Sequence, residues 1–499
     1  MFDTAYVALL VAVRCCNSGS SNNLKLVGHT SLTNIFSFGP APPAVDRSAL
    51  DRCFCQLEGQ VDDCECNVDT VDFFNNVKIF PRLQSLLVKD FFRFYKVNLR
   101  RQCPFWEDDG SCSQTTCRVR CCAEEEVPIG LKAAASAPKT EEKPSYKYTE
   151  AAQTAEDAGC DGESLGDLNT TISASRQRRL DNWTAHDDAL DSFCDMDDES
   201  SADMQFVDLL LNPERFTGYR GVSSTRVWSA IYDENCFKPK VSSPENKYGP
   251  IVDASNLGAD PFLMGLCLEE RVFYRAISGL HTSITVHLCS EYLLSEGCRG
   301  LGQLAPEVAR WGPNAAEFHR RFDPELTGGH GPRRLKNLYF VYLLELRALA
   351  KAAPYLTQLE YFTGNAEEDD EVRQAVRDIL PVISDFPSHF NESVLFRGGQ
   401  EARKLKTEFR EHFRNISRIM DCVGCEKCKL WGKLQTQGLG TALKILFSGK
   451  FDNPDVFKEG SPKRQKFQLS RNEIVALFNA FARLSTSVRN LEKFRDLER

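Results

Sequence analysis

Phe413-Arg-Asn-Ile-Ser-Arg-Ile-Met-Asp-Cys422-Val-Gly-Cys425-Glu-Lys-Cys428-Lys-Leu-Trp431 is the stretch around which the rest of the chain organises. Its first half completes an apolar stripe of Leu405, Phe409, Phe413, Ile416 and Met420, at the spacing of one helix face. Its second half carries Cys422, Cys425 and Cys428, each separated by two residues. Three chemistries are compatible with that spacing. An iron–sulfur site needs a fourth cysteine, and none follows Cys428, so the ligand would have to come from far upstream. A zinc site usually pairs two C-x-x-C knuckles, and the chain has no separate second one. A redox dithiol needs only C-x-x-C, and Lys427, Lys429 and Lys433 nearby favour a thiolate. By residue type the redox dithiol is preferred, with a metal ligand set still open.

Outward from this stretch the chain reads as helix. Phe273, Ile277, Leu280, Ile284 and Leu288 form one stripe; Leu335, Leu338, Tyr339, Tyr342, Leu346 and Leu349 form another. Ile474, Leu477, Phe478, Phe481 and Leu484 form a further one, and such stripes bury against one another in a bundle. Residues Val71 to Val97 also read as helical, with Phe73, Phe74, Val77, Phe80, Leu83, Leu86 and Leu87 near a 3.6 period. Alternating apolar runs are scarce and no strand leads into G-x-G-x-x-G, which argues against a Rossmann domain. Gly438-Leu-Gly440 lacks the third glycine and reads as helix packing or a kink. The expected fold class is mainly α, a helical bundle.

The 499 residues hold 61 lysines and arginines against 70 acids, a net charge of −9, so no basic field draws the chain to nucleic acid. The distinctive count is 20 cysteines, which points to disulfides, metal ligation or thiol redox chemistry. Ala5 to Val13 is an apolar run too short to span a bilayer and suited to a signal-peptide core, although Asp3 makes a poor n-region. Sequons at Asn169, Asn182, Asn391 and Asn415 fit a luminal, glycosylated chain. Secretory entry and an oxidising compartment are therefore expected. No KDEL-type signal ends the chain, so retention there would need a partner.

Four regions follow from composition. Residues 1–50 are a leader and spacer, and 51–122 form a cysteine-rich N-terminal region. Residues 123–204 are a mobile, acidic linker, and 205–499 are a helical core. In the second region Cys53-Phe-Cys55 and Cys64-Glu-Cys66 suit a small stapled hairpin whose pairing the spacing leaves open. Cys112-Ser-Gln-Thr-Thr-Cys117, followed by Cys121-Cys122, lies just before the linker. A surface staple is the plainer reading of this pair, and an exposed exchange dithiol the functional one. Between Asp181 and Asp208 stand ten acids and no lysine or arginine. The run lacks the spacing of an EF-hand loop, so it reads as a solvated acidic face, and no metal site is expected.

Long blocks of the chain resemble one family. They include Cys53-Phe-Cys55, Phe74-Asn-Asn76, Phe80-Pro-Arg-Leu83, Tyr95-Lys-Val-Asn-Leu99, Cys103-Pro-Phe-Trp106 and Asp208-Leu-Leu-Leu-Asn-Pro-Glu-Arg215-Phe-Thr-Gly-Tyr219. Glu234-Asn-Cys-Phe-Lys-Pro239, Ile277-Ser-Gly-Leu-His281, Gly331-Pro-Arg-Arg-Leu-Lys-Asn337 and Phe413 to Cys425 continue the match. From about Cys53 to Phe494 the chain resembles the endoplasmic reticulum oxidoreductins, flavin-dependent thiol oxidases that oxidise protein disulfide isomerase.

The resemblance implies FAD inside a helix bundle, with Cys425 and Cys428 as the inner dithiol and Cys112 and Cys117 as the outer shuttle pair. It implies a Cys103–Cys422 bridge, and flavin contacts from Arg215, Thr217, Tyr219, Trp228, Ser278, His281, Arg321 and Arg334. Off-state pairs of Cys112 with Cys160 and of Cys117 with Cys121 or Cys122 are implied too, as is a Cys236–Cys267 bridge. The implied reaction passes electrons from a protein disulfide isomerase-type partner through both dithiols and FAD to O2, giving H2O2. Localisation in the endoplasmic reticulum lumen as a monomer goes with it, and peripheral attachment to the membrane stays open. Trp228, His281 and the two arginines each have a plainer reading as core packing or surface charge. Cys15, Cys16, Cys289 and Cys298 depart from the pattern, Cys289 reading as a small buried hydrophobe, and Cys194 has no assigned role. The competing classes are a non-catalytic disulfide-rich luminal scaffold, which predicts no flavin colour, and a metal-binding module, which predicts stoichiometric metal.

Overall fold

The computed structural model describes residues 76–107, 117–136, 192–197, 201–214, 222–238, 266–293, 311–384, 392, 395–397, 399–447 and 469–497. It is a helical protein built around four long helices: α5 (Leu268–Ser290), α7 (His330–Leu356), α10 (Glu426–Phe447) and α11 (Arg471–Leu497). The most extensive pairings are α5 on α7 and α10 on α11. Helix α7 is central, because residues on all its sides are buried, including Phe340, Val341, Tyr342, Leu343 and Leu344. A stretch of helix apolar on every side, as Leu338–Leu344 is, has no solvent face to offer and must be enclosed by its neighbours.

Around this core stand α1 (Asn76–Leu87), α2 (Asp90–Arg93), α3 (Ile129–Ser136) and α4 (Val222–Ser229). A π-helical turn over Ala230–Glu234 continues α4. The remaining helices are α6 (Ala315–Phe322), α8 (Ala366–Ser384) and α9 (Gln400–Ile419). Asn76, at the start of α1, accepts from the Tyr342 and Ser485 hydroxyls at 3.1 and 2.7 Å, so buried hydrogen bonds tie α1 to α7 and α11. No helix among the described residues is long and apolar enough to cross a membrane.

The helix expected over Val71 to Val97 stops at Leu87 in its described part, residues 76–97. Val77 is exposed, so the apolar pattern there is not one continuous buried face. After the short α2, the aromatic run continues as β1 (Phe94–Val97), antiparallel to β2 (Gln205–Asp208), with Phe94 opposite Asp208 and Val97 opposite Gln205. Aromatic and β-branched residues fit that pleated surface better than a helix, and the partner strand lies far away in sequence. A second two-stranded pair joins Tyr292–Leu293 to Trp311–Gly312.

Gly438 and Gly440 are packing glycines. A Cβ at Gly438 would collide with Ala480 and the Ala476 carbonyl of α11, and one at Gly440 with the Cys194 sulfur. The two helices can approach closely only where the side chain is missing.

Candidate functional site

Cys425 immediately precedes α10, and its carbonyl accepts the first helical bond from Lys429 at 2.8 Å. Cys428 therefore lies in the opening turn, where unsatisfied backbone N–H groups favour an anionic sulfur. The approach is a tight turn over Met420–Cys422, anchored by a disulfide from Cys422 to Cys103 across 319 residues of sequence. That bridge consumes the Cys422 sulfur and leaves Cys425 and Cys428 as the two thiols of the run. No group of three metal-ligating side chains occurs among the described residues. Cys117 and Cys425 are buried together, 2% and 0% exposed, with the half-buried Cys428 packed against them. Cys117 is disulfide-bonded, and its partner lies outside the described residues.

One side of this cysteine turn is ionic. Arg101 pairs with Asp195, with Asp197 at 3.2 Å and with Asp421 at 3.2 Å. Lys433 binds Asp421 at 2.7 Å and Asp197 at 3.0 Å, and Arg418 lies 3.4 Å from Asp195. Three cations and three carboxylates thus close on one another. Burial works to raise the Asp195 carboxyl, but Arg101 and Arg418 outweigh it and hold the group below its ordinary range. At Asp421 burial wins over Lys433 and Arg101, and the carboxyl is raised. The acidic run is therefore not wholly a solvated face: Asp195 and Asp197 are consumed by cations that sequence distance hides. Lysines 429 and 433 also donate to the Leu99 and Asn98 carbonyls at 3.4 and 3.1 Å, which pins the segment leading to Cys103.

The other side is apolar. A cavity, partly open to solvent, runs from Cys428 to Trp228 and His281. Aliphatic side chains make most of its wall, among them Ile277, Ile284, Leu288 and Ile416. Ile284 and Leu288 belong to the sequence-predicted stripe of α5, and they face this space instead of another helix. Trp228 stacks on His281 with ring centroids 3.7 Å apart and planes 14° apart. The Tyr232 hydroxyl lies 2.9 Å from His281 Nδ1. Burial first, then the positive charges of Arg334 and Arg321, pull the His281 pKa down to about 3, so its ring is neutral at physiological pH. The structure thereby brings Trp228, His281, Arg321 and Arg334 to one place. Ser278 joins them by a bond to the Tyr232 hydroxyl, and its own Oγ accepts from Asn337 at 3.0 Å.

Known proteins are similar to this chain. The family model described as Endoplasmic Reticulum Oxidoreductin 1 (ERO1) covers residues 78–491. The chain belongs to the ERO1 family. It is 54% identical over 468 residues to the Ero1-like protein of Drosophila melanogaster, covering 91% of this chain and 92% of that one. It is 49% identical over 471 residues to ERO1-like protein alpha of Homo sapiens, covering 93% and 96%. A solved structure of Ero1p, titled as the source of disulfide bonds for oxidative protein folding in the cell, is 27% identical with a TM-score of 0.52. It covers 86% of this chain and 97% of that chain. A double cysteine mutant of S. cerevisiae Ero1p gives 27% identity and a TM-score of 0.53 over 86% and 97% of the two chains. This is an oxidoreductase with an endoplasmic reticulum oxidoreductin role in oxidative folding, a flavoenzyme in general terms.

Other residues of the ERO1 pattern sit as follows. Cys121 and Cys122 are half-buried thiols, not bonded to Cys117 in this structure. Cys236 and Cys267 are thiols as well, so the bridge implied between them is not formed here. Cys236 is buried after the π-turn, with its pKa pushed up to about 12 by burial. Cys267 is exposed and precedes α5, its N–H donating to Glu270 at 2.9 Å. Cys289 is fully buried and its thiol is raised to about 12, as suits a small hydrophobe. Cys194 gains a role, its Sγ donating to the Thr436 carbonyl at 3.0 Å beside Gly440. Asn415 is half-buried on α9 and its Oδ1 accepts from Arg418 at 3.3 Å, which is not the surface loop a glycan acceptor favours. Cys53, Cys55, Cys64, Cys66, Cys112, Cys160, Arg215, Thr217, Tyr219, Asn169, Asn182 and Asn391 lie outside the described residues.

Sequence reasoning missed Tyr232, Gln435 and Asn212. Tyr232 was within reach of it, since it follows Trp228 by four residues and shares its helix face. Gln435, on the cavity wall, carried no signal. Its amide nitrogen donates to Glu214 at 3.2 Å, and its buried Oε1 has no partner among the described residues.

Proposed function

We propose that this chain is a thiol oxidase of the endoplasmic reticulum lumen that oxidises protein disulfide isomerase-type dithiols. A reduced partner attacks the outer disulfide Cys112–Cys117 through a mixed disulfide. The reduced outer pair then exchanges with Cys425–Cys428, so that the inner pair becomes the dithiol. The packing of Cys117 on Cys425, with Cys428 on the wall of the cavity that holds Trp228 and His281, carries the reading.

The cavity fits a flavin ring. It offers apolar walls, the flat face of Trp228 and the buried, unpartnered Gln435 Oε1 as an acceptor for a ring N–H. Trp228, Ser278 and His281 would hold the ring end, with Arg215, Thr217 and Tyr219 contributing, and Arg321 and Arg334 would meet the diphosphate. FAD bound there supplies two-electron acceptance from a thiolate and reoxidation by O2 to H2O2. His281, neutral and stacked on Trp228, orients that aromatic wall without adding a charge to it. Secretory entry, glycosylation at Asn169, Asn182 and Asn391, and peripheral membrane attachment belong to the same reading.

An absorption spectrum of the purified protein, followed by oxygen uptake with reduced protein disulfide isomerase, tests it. A flavin band with uptake is expected. A colourless protein that takes up no oxygen would overturn the oxidase reading in favour of a scaffold.

A further inference from the structure

The strand-like segment after Cys117 is held by side chains on two sides. Asn212, itself buried, treats Arg120 as a strand partner. Its Oδ1 accepts from the Arg120 N–H at 2.8 Å and its Nδ2 donates to the Arg120 carbonyl at 2.8 Å. The same Nδ2 donates to the Asp208 carbonyl at 3.0 Å, and the Asn212 carbonyl accepts from Trp431 Nε1 at 2.8 Å. One residue earlier, the Val119 N–H donates to Glu426 Oε2 at 2.8 Å across 307 residues of sequence. Further on, the Cys122 N–H donates to Phe206 at 2.9 Å.

Glu426 lies within the inner Cys425-Glu-Lys-Cys428 motif. The carboxylate that grips the outer segment therefore belongs to the dithiol on which that segment rests. We propose that Glu426 is a positioning residue for exchange between the two dithiols, holding Val119 so that Cys117 stays against Cys425. The inference rests on the relay reading of the two pairs. In the exchange the Cys117 thiolate attacks Cys425. The Cys117–Cys425 bond forms as Cys425–Cys428 breaks, and the electron pair leaves on the Cys428 sulfur, which faces the cavity. Holding the two sulfurs together is what an exchange of this kind needs most, since it requires in-line approach.

The charge of Glu426 has a second consequence. Burial first, then Glu426, raises the Cys121 thiol, with Arg100 opposing them. A thiol kept protonated competes poorly for Cys117. Glu426 thus favours the inner pair over the neighbour four residues from Cys117.

The test compares Glu426→Ala and Glu426→Gln with the unsubstituted full chain by oxygen uptake on two substrates. One is reduced protein disulfide isomerase, which needs the outer pair. The other is dithiothreitol, at a concentration that reduces the inner pair directly. Because the bond is at the surface, Glu426→Ala should slow protein oxidation by about fivefold and leave the dithiothreitol rate and the melting temperature unchanged. Glu426→Gln keeps an acceptor oxygen and should return to within about twofold of the unsubstituted rate. Equal slowing on both substrates, or an unchanged rate with the protein substrate, would overturn the positioning role. No uptake by the unsubstituted chain with either substrate would overturn the relay reading beneath it.

Discussion

The turn carrying Cys425 and Cys428 has two flanks of opposite character. On one, six charged side chains from four separate segments cancel among Arg101, Asp195, Asp197, Arg418, Asp421 and Lys433. On the other, aliphatic walls and a neutral His281 enclose an open cavity. A buried ion network is costly to assemble but very costly to break, because removing one member strands the others without solvent. Such a flank holds geometry. An apolar cavity costs packing contacts, a loss the fold accepts only where something else fills the space. The two flanks divide the labour: one fixes where the sulfurs are, and the other decides what they meet.

The sharpest way to break this division is Cys425→Ala. Oxygen uptake should vanish while flavin absorbance persists, at a stability cost of about 1 kcal/mol for a small buried truncation. Uptake that survives would sink the assignment of the inner pair. Next in size, Lys433→Met on the ionic flank leaves Asp421 and Asp197 short of a cation and should cost about 3–5 kcal/mol by chemical unfolding. Its flavin spectrum should match that of the unsubstituted protein. A changed spectrum with full stability would reverse the roles given to the two flanks.

His281 makes the contrast visible in pH. Its folded pKa lies below its unfolded one, so the unfolded chain binds more protons and stability falls as pH drops below about 6.5. Between pH 7 and 5 the loss from this group should be roughly 2 kcal/mol. Unfolding curves for His281→Phe should lack that component, and identical slopes in the two proteins would show that His281 is not buried neutral. An effect on stability alone is expected where α10 packs on Cys194. Gly440→Ala, driven against Cys194, should lose about 1–3 kcal/mol, read as a lower melting temperature with unchanged turnover per folded molecule.

How legible each part was depends on the range of the interaction behind it. The stripes on α5, α7, α9 and α11 repeat within a few residues, so their helices and buried faces follow from local pattern. The break after Leu87 was hidden, because Phe94–Val97 become a strand only when Gln205–Asp208 lie beside them. The acidic run looked solvated because Arg101 stands 94 residues before Asp195. The Cys236–Cys267 bridge implied by the resemblance is not formed in this structure, where both are thiols, one buried and the other exposed at the start of α5.

By itself the sequence determined the helical class, the C-x-x-C motif, the core stripes and, through long matching blocks, the family. Helix periodicity and motif spacing are local, and they survive in a one-dimensional reading. Only the tertiary structure decided that Cys422 is spent on Cys103, that Cys117 rests on Cys425, and that Glu426 grips Val119. Each of those contacts joins residues hundreds of positions apart. Their partners are chosen by how the helices pack, which no local pattern encodes.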